Sequence, residues 1–138
     1  MRSNIIQPHK HYTCIDHPQY KYKLVRLFTW TNHDLLSNIE VTSPYIRIRK
    51  GKMTLKAGYA WDGVTAYHDR PSLMRGSLIH DAMYQLLREG LLPPSSRKLA
   101  DIIYRKVIVA DGTSNLLSWV MYTVLRFMGG KHAAPNTL

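Results

Sequence analysis

The chain has 138 residues, 45% hydrophobic and 20% charged, which is the balance of one globular domain rather than of a disordered segment. Lys and Arg number 19 against 9 Asp and Glu, so the formal net charge is +10 and an anionic partner is implied. The single cysteine, Cys14, excludes a disulfide framework and a cysteine-rich zinc site.

No N-terminal stretch has the pattern of a signal peptide, and no run reaches the roughly 18 apolar residues that span a bilayer. A soluble chain, not secreted by a signal peptide, is therefore expected. Residues 1–19 hold His9, His11, His17 and two prolines without periodicity, and read as an extended arm. Residues 20–30, YKYKLVRLFTW, alternate and then fill with apolar side chains, as a strand does. Residues 31–43 read as a loop with one weak strand. Residues 45–50 and 53–57 form a predicted hairpin around Gly51-Lys52, with Ile46, Ile48, Met53 and Leu55 inward. Arg47, Arg49, Lys52, Thr54 and Lys56 then face outward. That basic face is either a solvated sheet surface or a phosphate-binding one.

From Ser72 the period changes to that of helices. One is predicted over about 72–90, ending at Gly90, and a second over about 95–111, stopping at Asp111-Gly112. A third runs over about 114–129 and ends at Gly129-Gly130. The fold class is α+β: a small antiparallel sheet at about 20–60, then three helices. One domain is expected over 20–130, with a loose tail from 131. Between Leu116 and Met128 only Ser118, Thr123 and Arg126 are strongly polar. Such a helix is buried, forms an oligomer contact, or lies against lipid.

The charge is uneven. Residues 20–60 carry eight basic side chains against Asp34 and Glu40, a net of +6. Residues 61–111 carry seven against six, a net of +1. Most of the scarce carboxylates thus lie in the helical half, and three of them frame a candidate site.

That site runs from Gly58 to Asp101. The GYAWDG turn puts Asp62 at a strand end, and His68-Asp69 follow in a loop. His80 and Tyr84 are four residues apart and share a helix face. Asp101, on the next helix, reaches that face if the two helices pair antiparallel, and Tyr104 follows by one turn. A histidine backed by a carboxylate has a fixed tautomer and can take a proton from water. Asp81 points about 100° away from His80 around the helix. It can face Asp62 and the 58–66 loop as a ligand for a hard divalent cation. The catalytic candidates are His80, Asp101 and Tyr84; the metal candidates are Asp81 and Asp62. The competing account is a buried His–Asp–Tyr network that pins two helices together.

The run GYAWDGVTAYHD, RGSLIHDAMYQLLREGLL, RKLADIIYRKVIVADG, WVMYTVLRFMGG resembles a family of small phage and prophage proteins with no assigned activity, over residues 20–130. That resemblance implies phage origin, and a place in the virion or the host cytoplasm. A second likeness is to the core of secretory phospholipase A2, which has HDxxY on one helix and an Asp on its antiparallel partner. It implies His80 as the base, Asp81 as a calcium ligand, and Asp101 with Tyr84 as the orienting pair. The glycine-rich calcium loop and the disulfides of that family are not in this sequence. The HD-type metal phosphohydrolases need an earlier helical His and an all-helical body, which the β-rich first half does not offer.

Two functions follow as expectations. One is a phage His/Asp hydrolase, metal-assisted with calcium preferred, acting on the host envelope as phospholipid or cell wall. The other is a non-catalytic virion or accessory protein that contacts other phage proteins, in which the same residues are a brace. Nucleic acid is not an expected partner, because no recognition helix or stacking platform is present.

Overall fold

The computed structural model describes residues 12–14, 20–63 and 70–135. Most of the N-terminal arm, the His68-Asp69 pair and the last three residues lie outside them. The chain divides into two compact units, residues 1–63 and 64–138. The architecture is α+β, as the change of period predicts.

The first unit is built of short antiparallel strands. β1 (Tyr12–Cys14), β2 (Tyr22–Leu24) and β7 (Ala60–Trp61) form one sheet in the order β1-β2-β7. β3 (Phe28–Thr31), β4 (Val41–Thr42), β5 (Ile46–Arg49) and β6 (Lys52–Leu55) form the other, in the order β3-β6-β5-β4. The Gly58 N–H donates to the Leu24 carbonyl at 2.8 Å and the Leu24 N–H to the Tyr59 carbonyl at 2.8 Å. These bonds extend the pairing of β2 along the segment that leads from β6 into β7.

Alternation decides which side chains go in. Ile46 and Ile48 on β5 and Met53 and Leu55 on β6 are buried, and Arg47, Arg49 and Lys52 are exposed between them. Tyr22 and Trp61 face each other in register, their rings 5.4 Å apart and fully buried. The hairpin turn is Lys50-Gly51, one residue earlier than the sequence suggests. Both residues have positive φ, 52° and 76°, which is the type I′ turn that matches strand twist. The weak element expected at 31–43 resolves into a helical turn, α1 (His33–Leu36), capped by Asn32 Oδ1 on the Leu35 N–H at 2.9 Å, and β4.

The second unit is helical: α2 (Pro71–Arg88), α3 (Ser96–Ala110), α4 (Asn115–Met128) and α5 (Gly130–Ala133). α2 starts at Pro71 rather than through a Ser72 cap, because proline at the first helical position needs no N–H partner. Gly90 takes a φ of 74° just past the end of α2. Ser114 caps α4 on the Leu117 N–H at 3.2 Å. Arg75 clamps the last turn of α3 through a two-pronged bond to Asp111, at 3.0 and 2.8 Å. Leu73, Tyr104, Ile108, Met121 and Leu125 form a core shared by α2, α3 and α4.

Two expectations change here. The tail from 131 is not loose throughout, since residues 130–133 form α5. Of the three alternatives for the apolar α4, full burial does not hold: only Ser118, Met121 and Leu125 are buried on it. Leu116, Trp119, Val120, Phe127 and Met128 are exposed, Phe127 at 86%. No helix among the described residues is long and apolar enough to cross a membrane.

Candidate functional site

The site belongs to the helical unit and starts from one carboxylate. Asp101, near the N-terminal end of α3, has no solvent exposure. An unpartnered charge there would cost several kcal/mol, about 3–5. Three side chains from two other helices remove that cost. His80 Nε2 lies 2.7 Å from Asp101 Oδ1, and the Tyr84 hydroxyl donates to the same oxygen at 2.6 Å. Both come from α2, one helical turn apart, as their spacing requires. Arg126 of α4 donates Nη1 to Oδ2 at 2.7 Å.

Arg97, one turn before Asp101 on α3, adds a second cation 4.0 Å from Oδ2. Its Nε donates to the Tyr84 hydroxyl at 3.2 Å. Its Nη2 donates to the carbonyls of Leu125 and Arg126 at 2.7 Å each, in the last turn of α4. A cation suits that place, because the negative end of the helix dipole lies there. Arg88 does the same for the next segment, donating to the His132 carbonyl at 2.9 Å. The network therefore binds α2, α3 and the C-terminal end of α4 together.

Electrostatics fix the protonation states. Burial alone would raise the Asp101 pKa, but the bonds from His80, Tyr84 and Arg126 outweigh it and hold the carboxyl below its usual range. Burial lowers the His80 pKa, and its bond to Asp101 opposes this only in part. His80 is thus neutral at pH 7. An ionised Asp101 can only accept, so Nε2 carries the proton and Nδ1 the lone pair. Nδ1 has no hydrogen-bond partner among the described residues. The phenols of Tyr84 and Tyr104 are both pushed up by burial and stay protonated.

Of the predicted site residues, His80, Tyr84 and Asp101 converge as expected. Tyr104 does not join the hydrogen bonding. Its ring meets His80 edge-on at 5.3 Å, and its buried hydroxyl has no partner among the described residues. Asp81 is partly buried on α2, and Asp62 is exposed after β7 in the sheet unit. No group of three or more His, Cys, Asp or Glu side chains among the described residues is placed to hold a metal ion. The calcium site expected around Asp81 and Asp62 therefore has no support there.

Three contributors were not predicted. Arg97 was legible, since it stands four residues before Asp101 on one helix face. Arg126 had a signal too, as a lone cation in an otherwise apolar helix. Gly129 is the third: a Cβ there would lie 2.5 Å from the Tyr84 hydroxyl and 2.6 Å from the Leu125 carbonyl. The terminal glycine thus makes room for the tyrosine. Comparison with family models, with curated proteins and with solved structures finds no match to this chain.

Proposed function

We propose that this is a non-catalytic, phage-encoded virion or accessory protein in which His80, Tyr84 and Asp101, with Arg126, brace three helices. The supporting observation is the saturation of Asp101. The carboxylate is fully buried, both oxygens are hydrogen-bonded, and Arg126 is its counter-ion. In a catalytic His–Asp pair the carboxylate stabilises the imidazolium that forms during reaction. Here two arginines already balance the carboxylate, and burial disfavours the imidazolium. Phage origin is supported by the GYAWDG and SLIHDAMYQ pattern. The exposed face of α4 supports a contact with other phage proteins or with a second copy.

His80→Gln tests this reading, because the amide keeps a donor toward Asp101 and removes the base. The expected result is a folded variant, with wild type and variant equally inert toward phospholipid vesicles and peptidoglycan. Hydrolysis by wild type that disappears in folded His80→Gln would overturn it.

One observation favours the second reading, a hydrolase acting on the host envelope. With Nε2–H on Asp101, the His80 lone pair sits on Nδ1, which has no hydrogen-bond partner among the described residues. That is the arrangement of a general base that takes a proton from water. The same assay decides between the two.

A further inference from the structure

We propose that the concave basic face of β5 and β6 binds a soluble ligand carrying two or more phosphate groups. This concerns the sheet unit alone and holds under either reading of His80. A cavity of about 620 Å³ opens on this face, lined by Arg47, Arg49, Lys50 and Lys52 with no acidic side chain among its lining residues. That is within the size range of small-molecule sites, roughly 300–1,000 Å³.

The register shows why an anion belongs there. Arg49 stands directly opposite Lys52 across the β5–β6 pair. Like charges in that position destabilise a sheet. None of the four cations has an ion-pair partner among the described residues. Asp34 and Glu40 are the only acids between residues 20 and 60, and neither lines the cavity. The sheet thus keeps a repulsion that a bound anion would relieve.

The site is also held in shape. The Asn32 N–H donates to the Gly51 carbonyl at 2.9 Å, tying the hairpin turn to the start of α1. A Cβ on Gly51 would fall 2.5 Å from His33 Nδ1, so only glycine lets His33 sit against the turn. His33 and Lys50 both line the cavity as a result.

The chemistry narrows the ligand. A guanidinium grips phosphate with two parallel bonds. Arg47 and Arg49 are two residues apart on one strand, so their backbones are about 7 Å apart. Each can hold a separate phosphate, which favours a ligand with several. Hydroxyls of Thr31 and Thr54 on the same face add donors. No Phe, Tyr or Trp ring lines the cavity, and the His33 imidazole is its one ring, so successive stacked bases have no extended platform. No large apolar side chain lines it either, so a bilayer has nothing to receive.

Titration calorimetry of the full chain with sodium tripolyphosphate tests the proposal. One site is expected, weakened several-fold between 50 and 200 mM salt. Binding should fall at least tenfold in Arg49→Ala/Lys52→Ala and stay unchanged in Lys106→Ala. The double variant should melt no lower than wild type, since it removes a like-charge pair on an exposed face. Separate arms use orthophosphate, phosphatidylglycerol vesicles and a single-stranded oligonucleotide. Orthophosphate should bind more weakly through the same residues. The proposal is overturned if tripolyphosphate does not bind, if the double variant binds it normally, or if vesicles or oligonucleotide bind through Arg49 and Lys52 more tightly than tripolyphosphate.

Discussion

In the sheet unit Arg47, Arg49, Lys50 and Lys52 stand together without an ion-pair partner among the described residues, while in the helical unit Asp101 is sealed from water between His80, Tyr84 and Arg126. One unit keeps these four charges on an outer face. The other takes a charge inside and balances it. A strand alternates faces, so cations at every second position stay in water at little cost. A buried carboxylate must be satisfied by partners from several helices or it destabilises the fold. Deleting a charge should therefore have opposite signs in the two units.

The largest expected effect is on the helical side. Asp101→Ala leaves Arg126 without its counter-ion and should cost about 3–5 kcal/mol in urea unfolding. A loss below about 1 kcal/mol would mean the carboxylate is not the keystone. Gly129→Ala should cost about 1–3 kcal/mol by pressing on Tyr84, measured in the same way. Tyr84→Phe removes a bond to a charged acceptor and should cost about 1.5–3 kcal/mol, with less in an Asp101→Asn background.

The pH dependence sharpens the contrast. The His80 pKa is lowered on folding, so the unfolded chain binds more protons just below pH 6.5. Stability is full above that value and falls as pH drops toward the folded pKa. Asp101 is also lowered, so its contribution is present above about pH 3.8 and is lost below it. Both act in the same direction. His80→Gln should flatten the curve near pH 6 and leave the loss at lower pH. A wild-type curve that is level from pH 7 to pH 5 would contradict a buried neutral histidine.

The smallest effect is on the sheet. Arg49→Ala should stabilise by about 0.2–1 kcal/mol by relieving Lys52 across the pair, and less at high salt. Destabilisation would show that the cation has a partner.

The exposed side of α4 separates this helix from α2 and α3. Its sequence leaves burial, an oligomer contact and a lipid contact open, and Leu116, Trp119 and Phe127 face outward. A helix that is apolar on nearly every side has more apolar surface than its packing against α2, α3 and α5 covers. Light scattering at rising concentration should show whether a second copy covers the rest. Leu116→Lys/Phe127→Lys should then abolish any growth in mass.

Local pattern alone determined the hairpin of β5 and β6, the inward set Ile46, Ile48, Met53 and Leu55, and the helix ends near Gly90, Gly112 and Gly129. These depend on side-chain period and on backbone conformation, which neighbouring residues set. The spacing of His80 and Tyr84 likewise put them on one face. Only the tertiary structure decided what that face meets. Arg126 is 25 residues from Asp101 and comes from a different helix. Whether a carboxylate serves a base or a brace depends on which cations reach it, and packing sets that distance, not spacing along the chain.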